Sequence, residues 1–271
     1  MRIFVAVVRV IKLFDKEYQI LCNAIKKANL ALLDAIKNGY EKSFKENHDP
    51  VTTADLTVNA ILQEELLTAF PDSGWLSEET KDNLERLTKK KVWIVDPVDG
   101  TKEFIERIPE YSISVALVDD GKPVLGAVMN PLKDELFTAI KDEGAFLNDK
   151  RIFVKDTINN KPVIVASRSE NKRGEWEYFK KIAKIIPTGS IAYKLALVAS
   201  GRVDATFSLS PKNEWDICAG TLLLEEAGGV VTDKHEQSFT FNQTETLVNS
   251  IVGTSKVASD RIFEIINSFE E

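Results

Sequence analysis

The sequence predicts an α/β protein, α+β in its first half and α/β in its second, with its elements stacked in layers. Three observations predict this. Two amphipathic helical stretches open the chain. Apolar and polar residues then alternate around an Asp-Gly turn and continue as a meander. Beyond about Asn160, strand-like and helix-like stretches alternate.

The elements follow in order. The opening "MRIFVAVVRVIKLF" reads as a first strand or helix turn and not as a signal peptide, because Arg9 and Lys12 break its apolar run and no small-residue cleavage site follows. From Asp15 to about Asn38 a helix is expected, with Leu21, Ile25, Ala28, Leu32, Ala35 and Ile36 on one face. The polar segment "GYEKSFKENHDPVTTAD" leads to a second helix starting near Asp55. That helix buries Val58, Ile61, Leu62, Leu66 and Ala69, and Pro71 ends it. A loop carrying "SEET" and a charged, solvated approach over Lys81 to Lys91 precede the apolar run Val92 to Val95. The stretch "YSISVALVDDGKPVLGAVMNP" is a hairpin, and "ELFTAI" and "GAFLNDKRI" extend it as antiparallel strands. In the second half "VIVAS", "DATFSL" and "SIVGTS" read as strands. Helices are expected around 172–184 and 191–200, from Asp216 to Ala227 with Gly228-Gly229 as its stop, and over "SDRIFEIINSF". The division expected is an α+β subdomain over residues 1–155 and an α/β subdomain over 156–271, with the functional site between them.

Composition narrows the function. The 271 residues carry a formal net charge of -7, which disfavours a general nucleic-acid surface. Cys22 and Cys218 lie far apart, so neither a disulfide framework nor a thiolate cage is expected. With only His48 and His235, a histidine-rich zinc site is not expected either. No stretch is long enough to span a membrane, and a cytoplasmic protein is expected.

The chemistry lies in the acids. In "WIVDPVDGT" an apolar strand runs into Asp96 and Asp99. Pro97 forces a turn that aims both carboxylates at one point, an arrangement that a hard cation such as Mg²⁺ resolves. Gly100 permits close approach, and free amides at Gly100 and Thr101 suit a phosphate oxygen. An Asx turn followed by an N-cap is the structural alternative. Three further acidic clusters are "SEE" at Ser77–Glu79, Asp216 at the head of an amphipathic helix beside Trp215, and Asp49 and Asp55 in "DPVTTAD". Each has an ordinary reading as a solvated loop or a cap. Together they point to metal-assisted phosphate chemistry.

The segments "DPVTTAD", "SEE", "WIVDPVDGT" and "WDICAGTLLLEEAGG" closely resemble, in this order, the lithium-sensitive Mg²⁺-dependent phosphatase superfamily of inositol monophosphatases, fructose bisphosphatases and 3'(2'),5'-bisphosphate nucleotidases. The resemblance implies a layered αβαβα sandwich. It also implies attack of a metal-activated water on a phosphomonoester, without a phosphoenzyme, with two or three Mg²⁺ per site and inhibition by Li⁺. Carried over residue by residue, Glu78, Asp96, Asp99 and Asp216 match the metal carboxylates, and the Val98 carbonyl matches a further ligand. Asp55 and Thr101 match the pair that activates water, with Glu78 beside them. Gly100 and Thr101 match the phosphate-binding amides.

Within the superfamily "DGTKEF" looks like the bisphosphate nucleotidases. Lys45 in "KENHDPVTTAD" and Lys194 in "GSIAYKLALVASG" match nucleotidase lysines, and Ser167, Gly189 and Ser190 fall at substrate-contact positions. Three departures stand out: His48 and Asp49 replace small polar residues, Glu170 replaces the His of "SRSH", and Leu209 replaces a Glu seven residues before Asp216. The resemblance therefore implies a nucleotidase releasing the 3'-phosphate of 3'-phosphoadenosine 5'-phosphate, with an inositol-monophosphatase-like enzyme of broad sugar-phosphate specificity as the alternative. A haloacid-dehalogenase mechanism is disfavoured, since that chemistry needs D-x-D and the spacing here is D-x-x-D. A non-catalytic scaffold would have lost a ligand, and every expected acid is present. The expected partner is a small phosphorylated substrate, with no nucleic acid and no membrane, for a monomer or homodimer.

Overall fold

Residues Val92 to Val95 are apolar without alternation because both faces of their strand are covered. The computed structural model describes residues 14–46 and 48–270, and it places these four in the centre of the molecule. The expected opening strand or helix turn lies outside the described residues apart from Phe14.

The chain runs α1 (Asp15–Asn38), β1 (Lys42–Phe44), β2 (Pro50–Thr52), α2 (Thr53–Ala69), β3 (Gly74–Ser77), β4 (Lys91–Asp99) and α3 (Thr101–Ile105). The meander β5 (Ser112–Asp119), β6 (Lys122–Asn130), β7 (Glu135–Ile140), β8 (Gly144–Leu147) and β9 (Lys150–Ile152) follows. The second half contains β10 (Val163–Ser167), α4 (Arg168–Lys172), β11 (Lys184–Thr188), α5 (Ile191–Ala199), β12 (Ala205–Ser208) and β13 (Lys212–Asn213). It ends with α6 (Glu214–Glu226), β14 (Gly229–Thr232), β15 (Leu247–Val248), β16 (Ile251–Ser255) and α7 (Ser259–Glu270).

Strands β3 to β9 form a seven-stranded sheet in sequence order, antiparallel except for the parallel pair β3–β4. A five-stranded sheet has the order β11-β10-β12-β16-β14. Strand periodicity sorts the side chains into layers. Trp93 and Val95 of β4 pack with Leu21, Ile25, Val58 and Leu62 of α1 and α2. Val92 and Ile94 point the other way, towards Tyr193, Leu195, Ile217 and Leu223 of α5 and α6. The far face of the five-stranded sheet packs Ile164, Phe207 and Val252 on Ile262, Ile265 and Ile266 of α7. The order is helix, sheet, helix, sheet, helix, which is the expected αβαβα sandwich.

Several local expectations need adjustment. The helix expected around 172–184 is absent: α4 ends at Lys172 and β11 begins at Lys184. Gly174, at φ +83, breaks the helical path. Trp176 and Phe179 instead cluster with Phe207, at ring separations of 4.5 and 5.1 Å. Ile185 and Ile186 pair in parallel with Ile164 and Val165, where β-branched residues fit well. The polar segment before α2 contains the short hairpin β1–β2, and β3 precedes the "SEE" loop. Helices α2 and α6 each start two residues before the acid expected to open them, so Asp55 and Asp216 both occupy the third helical position.

Candidate active site

The site begins where β4 loses its regular ladder. Pro97 has no N–H to donate. Asp96 pairs with Ser114 and Asp99 with Ser112, so three steps on β4 oppose two on β5. This bulge turns the strand end without ending the pairing. The Val98 amide donates to Asp96 Oδ1 at 3.0 Å, an Asx turn that fixes one oxygen of that carboxylate. Gly100 then takes a left-handed conformation at φ +95, where a side chain would be strained and its Cβ would press on the Glu110 carbonyl at 3.2 Å. Thr101 opens the short helix α3.

Three other segments bring acids to this turn. Strand β3 lies parallel to β4, and the Glu78 amide donates to the Val95 carbonyl at 3.2 Å, which carries Glu78 alongside Asp96. Helix α6 presents Asp216, whose Oδ2 accepts the N-cap amide of Asn213 at 2.8 Å. Helix α5 is tied to Asp99: Oδ2 accepts from Ser190 Oγ at 2.6 Å and from the Ala192 amide at 2.7 Å. Ser190 holds a positive φ of 55, and its hydroxyl both serves Asp99 and accepts the Tyr193 amide at 3.0 Å. In each of the three aspartates a backbone amide fixes one oxygen, and all three line a pocket of about 310 Å³ with Glu78, Val98, Gly100 and Thr101.

The electrostatics are unbalanced. Asp96 and Asp99 are buried, while Glu78 and Asp216 are half-buried in the pocket wall. Asp96 is pushed well above the usual carboxylate range by burial first, and then by Glu78, Asp99 and Asp216. Asp216 is raised by desolvation, Asp99 and Glu78. Asp99 is raised to about 6, mainly by burial, although the Ser190 and Ala192 bonds and Lys194 oppose it. Like charges held together out of water are the common cause.

Asp55 and Thr101 form a second constellation at the rim. Asp55 Oδ2 accepts from the Thr52 amide at 2.9 Å and from Thr52 Oγ1 at 2.5 Å, completing a capping box with the Ala54 amide on Thr52 Oγ1 at 3.2 Å. Its Oδ1 faces Thr101 Oγ1 at 3.1 Å. Thr101 Oγ1 is also 3.1 Å from the Val98 carbonyl. One hydroxyl proton thus has two acceptors. Burial raises Asp55, and the bonds from Thr52 and Thr101 counter it.

The remaining expected residues sit around this core. Lys45, on the turn after β1, places Nζ 2.7 Å from both Glu78 Oε1 and Glu79 Oε1. Burial alone would lower its pKa, and the two glutamates more than offset that. Ser167 is the N-cap of α4, with its hydroxyl accepting the Glu170 amide at 3.3 Å. The Gly189 amide donates to Glu110 Oε2 at 2.9 Å, and any Cβ at Gly189 would lie 2.5 Å from Glu103 Cγ. Lys194 is buried beside Glu170, Asp99 and Glu103 and does not line the pocket. His48 is exposed at φ 66, and Asp49 is at the pocket edge, 3.7 Å from Lys102. Leu209 lines a separate apolar cavity of about 170 Å³ with Trp176, Phe179, Phe207, Phe269 and Glu170.

Four residues in this region were missed from sequence. Glu79 shares Lys45, Glu103 and Asn213 line the pocket, and Lys212 approaches Glu170. Glu103 lies inside "DGTKEF" and Glu79 inside "SEE", so both had a signal at the level of the motif. Nothing local marks Lys212.

The profile of the inositol monophosphatase family matches residues 14–270. The chain belongs to that family. Its similarity to the 3'(2'),5'-bisphosphate nucleotidase CysQ of Haemophilus influenzae is 34% identity over 246 residues, 82% of this chain and 89% of the relative. Inositol monophosphatase 2 of Solanum lycopersicum is 32% identical over 265 residues, covering 91% of this chain and 96% of the relative. The crystal structure of extragenic suppressor protein suhB from Bartonella henselae superposes with a TM-score of 0.80 at 30% identity, covering 92% of this chain and 97% of that one. The chain is therefore a phosphatase of phosphomonoesters, and relatives with different names match it about equally well. No described helix is long and apolar enough to cross a membrane.

Proposed function

We propose that the chain is a Mg²⁺-dependent phosphomonoesterase. The observation that carries the proposal is the excess of negative charge of Glu78, Asp96, Asp99 and Asp216 around one pocket, against which Lys45 on Glu78 is the one ion-paired cation among the described residues. The donor set is oxygen only, from four carboxylates and the Val98 carbonyl, which suits a hard cation better than zinc or copper. Among the described residues, no group of three or more His, Cys, Asp or Glu is already arranged to hold an ion. Lys45 instead stands on Glu78. Glu78, Asp96, Asp99, Asp216 and the Val98 carbonyl would hold two or three Mg²⁺, and Lys45 also has Glu79 as a partner.

When bound, Mg²⁺ supplies the positive charge that offsets the acids and the phosphate, and it lowers the pKa of an attacking water. The chain supplies the rest. Thr101 Oγ1 would donate its proton to Asp55 Oδ1, and the Val98 carbonyl would be among the groups that hold the ion. The Thr101 oxygen is then free to accept a hydrogen from the nucleophilic water, and Asp55 draws the proton away from the phosphate. Gly100 and Thr101, at the start of α3, present amides without intrahelical acceptors to a phosphate oxygen.

The substrate reading is 3'-phosphoadenosine 5'-phosphate, hydrolysed to AMP and phosphate in the cytoplasm. Lys45, Lys194 and "DGTKEF" support it. A second reading, an inositol or sugar monophosphate, is favoured by Lys194 and Lys212 both facing Glu170. Phosphate release with Mg²⁺ decides between them. The nucleotidase reading expects a higher kcat/KM for 3'-phosphoadenosine 5'-phosphate than for inositol 1-phosphate. The reverse order rejects that substrate and leaves the phosphatase chemistry standing.

A further inference from the structure

Glu170 is an anion with no apparent need to be one. It is 5% exposed, on the first turn of α4, and its position is fixed from several sides. Oε1 accepts from Ser208 Oγ at 2.8 Å, and Oε2 accepts from Trp176 Nε1 at 3.1 Å. Lys212 Nζ is 3.6 Å from Oε1. Lys194, 3% exposed, has Glu170 as its strongest anionic neighbour and Asp99 as its second. Lys212 immediately precedes the pocket residue Asn213 on β13, whereas Lys194 is buried and does not line the pocket. The other cations nearby are matched too, Lys102 with Asp49 and Arg168 with Glu110.

We infer that Glu170 is a specificity-determining residue, whose fixed carboxylate holds Lys212 and so withholds that cation from a second anionic group on the substrate. A mobile surface carboxylate would yield to an incoming phosphate. Glu170 does not, because Ser208, Trp176 and the α4 cap all hold it in place. A substrate with one phosphate needs only the metal-facing acids and the α3 turn. A substrate with two must compete with a buried anion for Lys212. The inference rests on the phosphate pocket of the proposed function and favours its monophosphate reading.

The test uses two nucleotides that differ only in the second phosphate, 3'-phosphoadenosine 5'-phosphate and adenosine 3'-phosphate. In Glu170→Gln, which keeps the shape and removes the charge, the kcat/KM ratio of the first to the second should rise roughly tenfold, the order expected for one unpaired charge near a partly desolvated site. The gain should lie in KM and fall with added salt. Lys212→Gln should move the ratio the opposite way, and it decides the matter should Glu170→Gln not fold. A merely structural Glu170 would change both substrates alike, and an unchanged ratio overturns the inference. Should wild-type protein turn over neither nucleotide, calorimetric affinities for the same pair give the same ratio, so failure of the substrate reading stays distinct from failure of this inference.

Discussion

The acidic pocket wall and the charged cluster beside it treat charge in opposite ways. On the wall built by β4, the "SEE" loop and α6, carboxylates face one another, and Lys45 on Glu78 is the one cation in direct ion pairing with them among the described residues. In the neighbouring cluster built by α4, α5 and β13, Glu170, Lys194 and Lys212 are mutually compensated, and Arg168 pairs with Glu110. Burial alone does not separate the two, since Asp96 and Glu170 are both inaccessible. The balance of charge does. Burial and like charge raise the Asp96 carboxyl, whereas Ser208, Lys212, Lys194 and Trp176 overcome burial and lower Glu170. The excess of buried charge is what the proposed Mg²⁺ site rests on, and the neutralised cluster is what the proposed role of Glu170 rests on.

The comparison can be broken at its reactive side first. Thr101→Ala removes the hydroxyl that joins Asp55 to the Val98 carbonyl. Steady-state kinetics should show kcat lower by about 100-fold with KM nearly unchanged, the magnitude of a lost proton-transfer group. An equal loss confined to KM would assign Thr101 to binding instead.

A smaller effect concerns stability. Asp99 titrates at about 6 in the folded protein, against 3.8 for the free side chain. A raised carboxyl favours folding below the unfolded value, and that contribution is lost as pH rises through the folded one. Metal-free protein should therefore lose Tm between about pH 4 and 6 through Asp99, with Asp96 and Asp216 extending the loss upward. Saturating Mg²⁺ should restore more Tm at pH 7 than at pH 5. A metal-free Tm that rises through pH 6 would show that these acids are compensated after all.

Legibility in the sequence follows the same division. Asp96 and Asp99 stand out because an apolar strand should not end in paired charge without cause. Asp55 and Asp216 were visible as helix caps, and they are caps: each returns a bond to its N-cap amide while belonging to the site. A capping position and a functional role are not alternatives, because the capping bond holds one carboxylate oxygen and leaves the other. Helix α1 and the meander were readable from period alone. The stretch around 172–184 was not, because its aromatic residues answer to Phe207 across the chain and not to a helical face. Strands β1, β2 and β3 are too short for period to register. Glu170 was readable only as a departure from a motif. Its partners Ser208 and Lys212 lie about forty residues away, beyond any local signal.

The central claim is that the unbalanced wall is a Mg²⁺ site. Calorimetric titration of Mg²⁺ into wild-type protein and into Asp96→Asn, each alongside phosphate release from a phosphomonoester, tests it most directly. The account predicts saturable Mg²⁺ binding by the wild type, and binding and turnover both weakened by more than about 100-fold in the variant. Equal Mg²⁺ affinity and equal Mg²⁺-dependent turnover in the two proteins would contradict it.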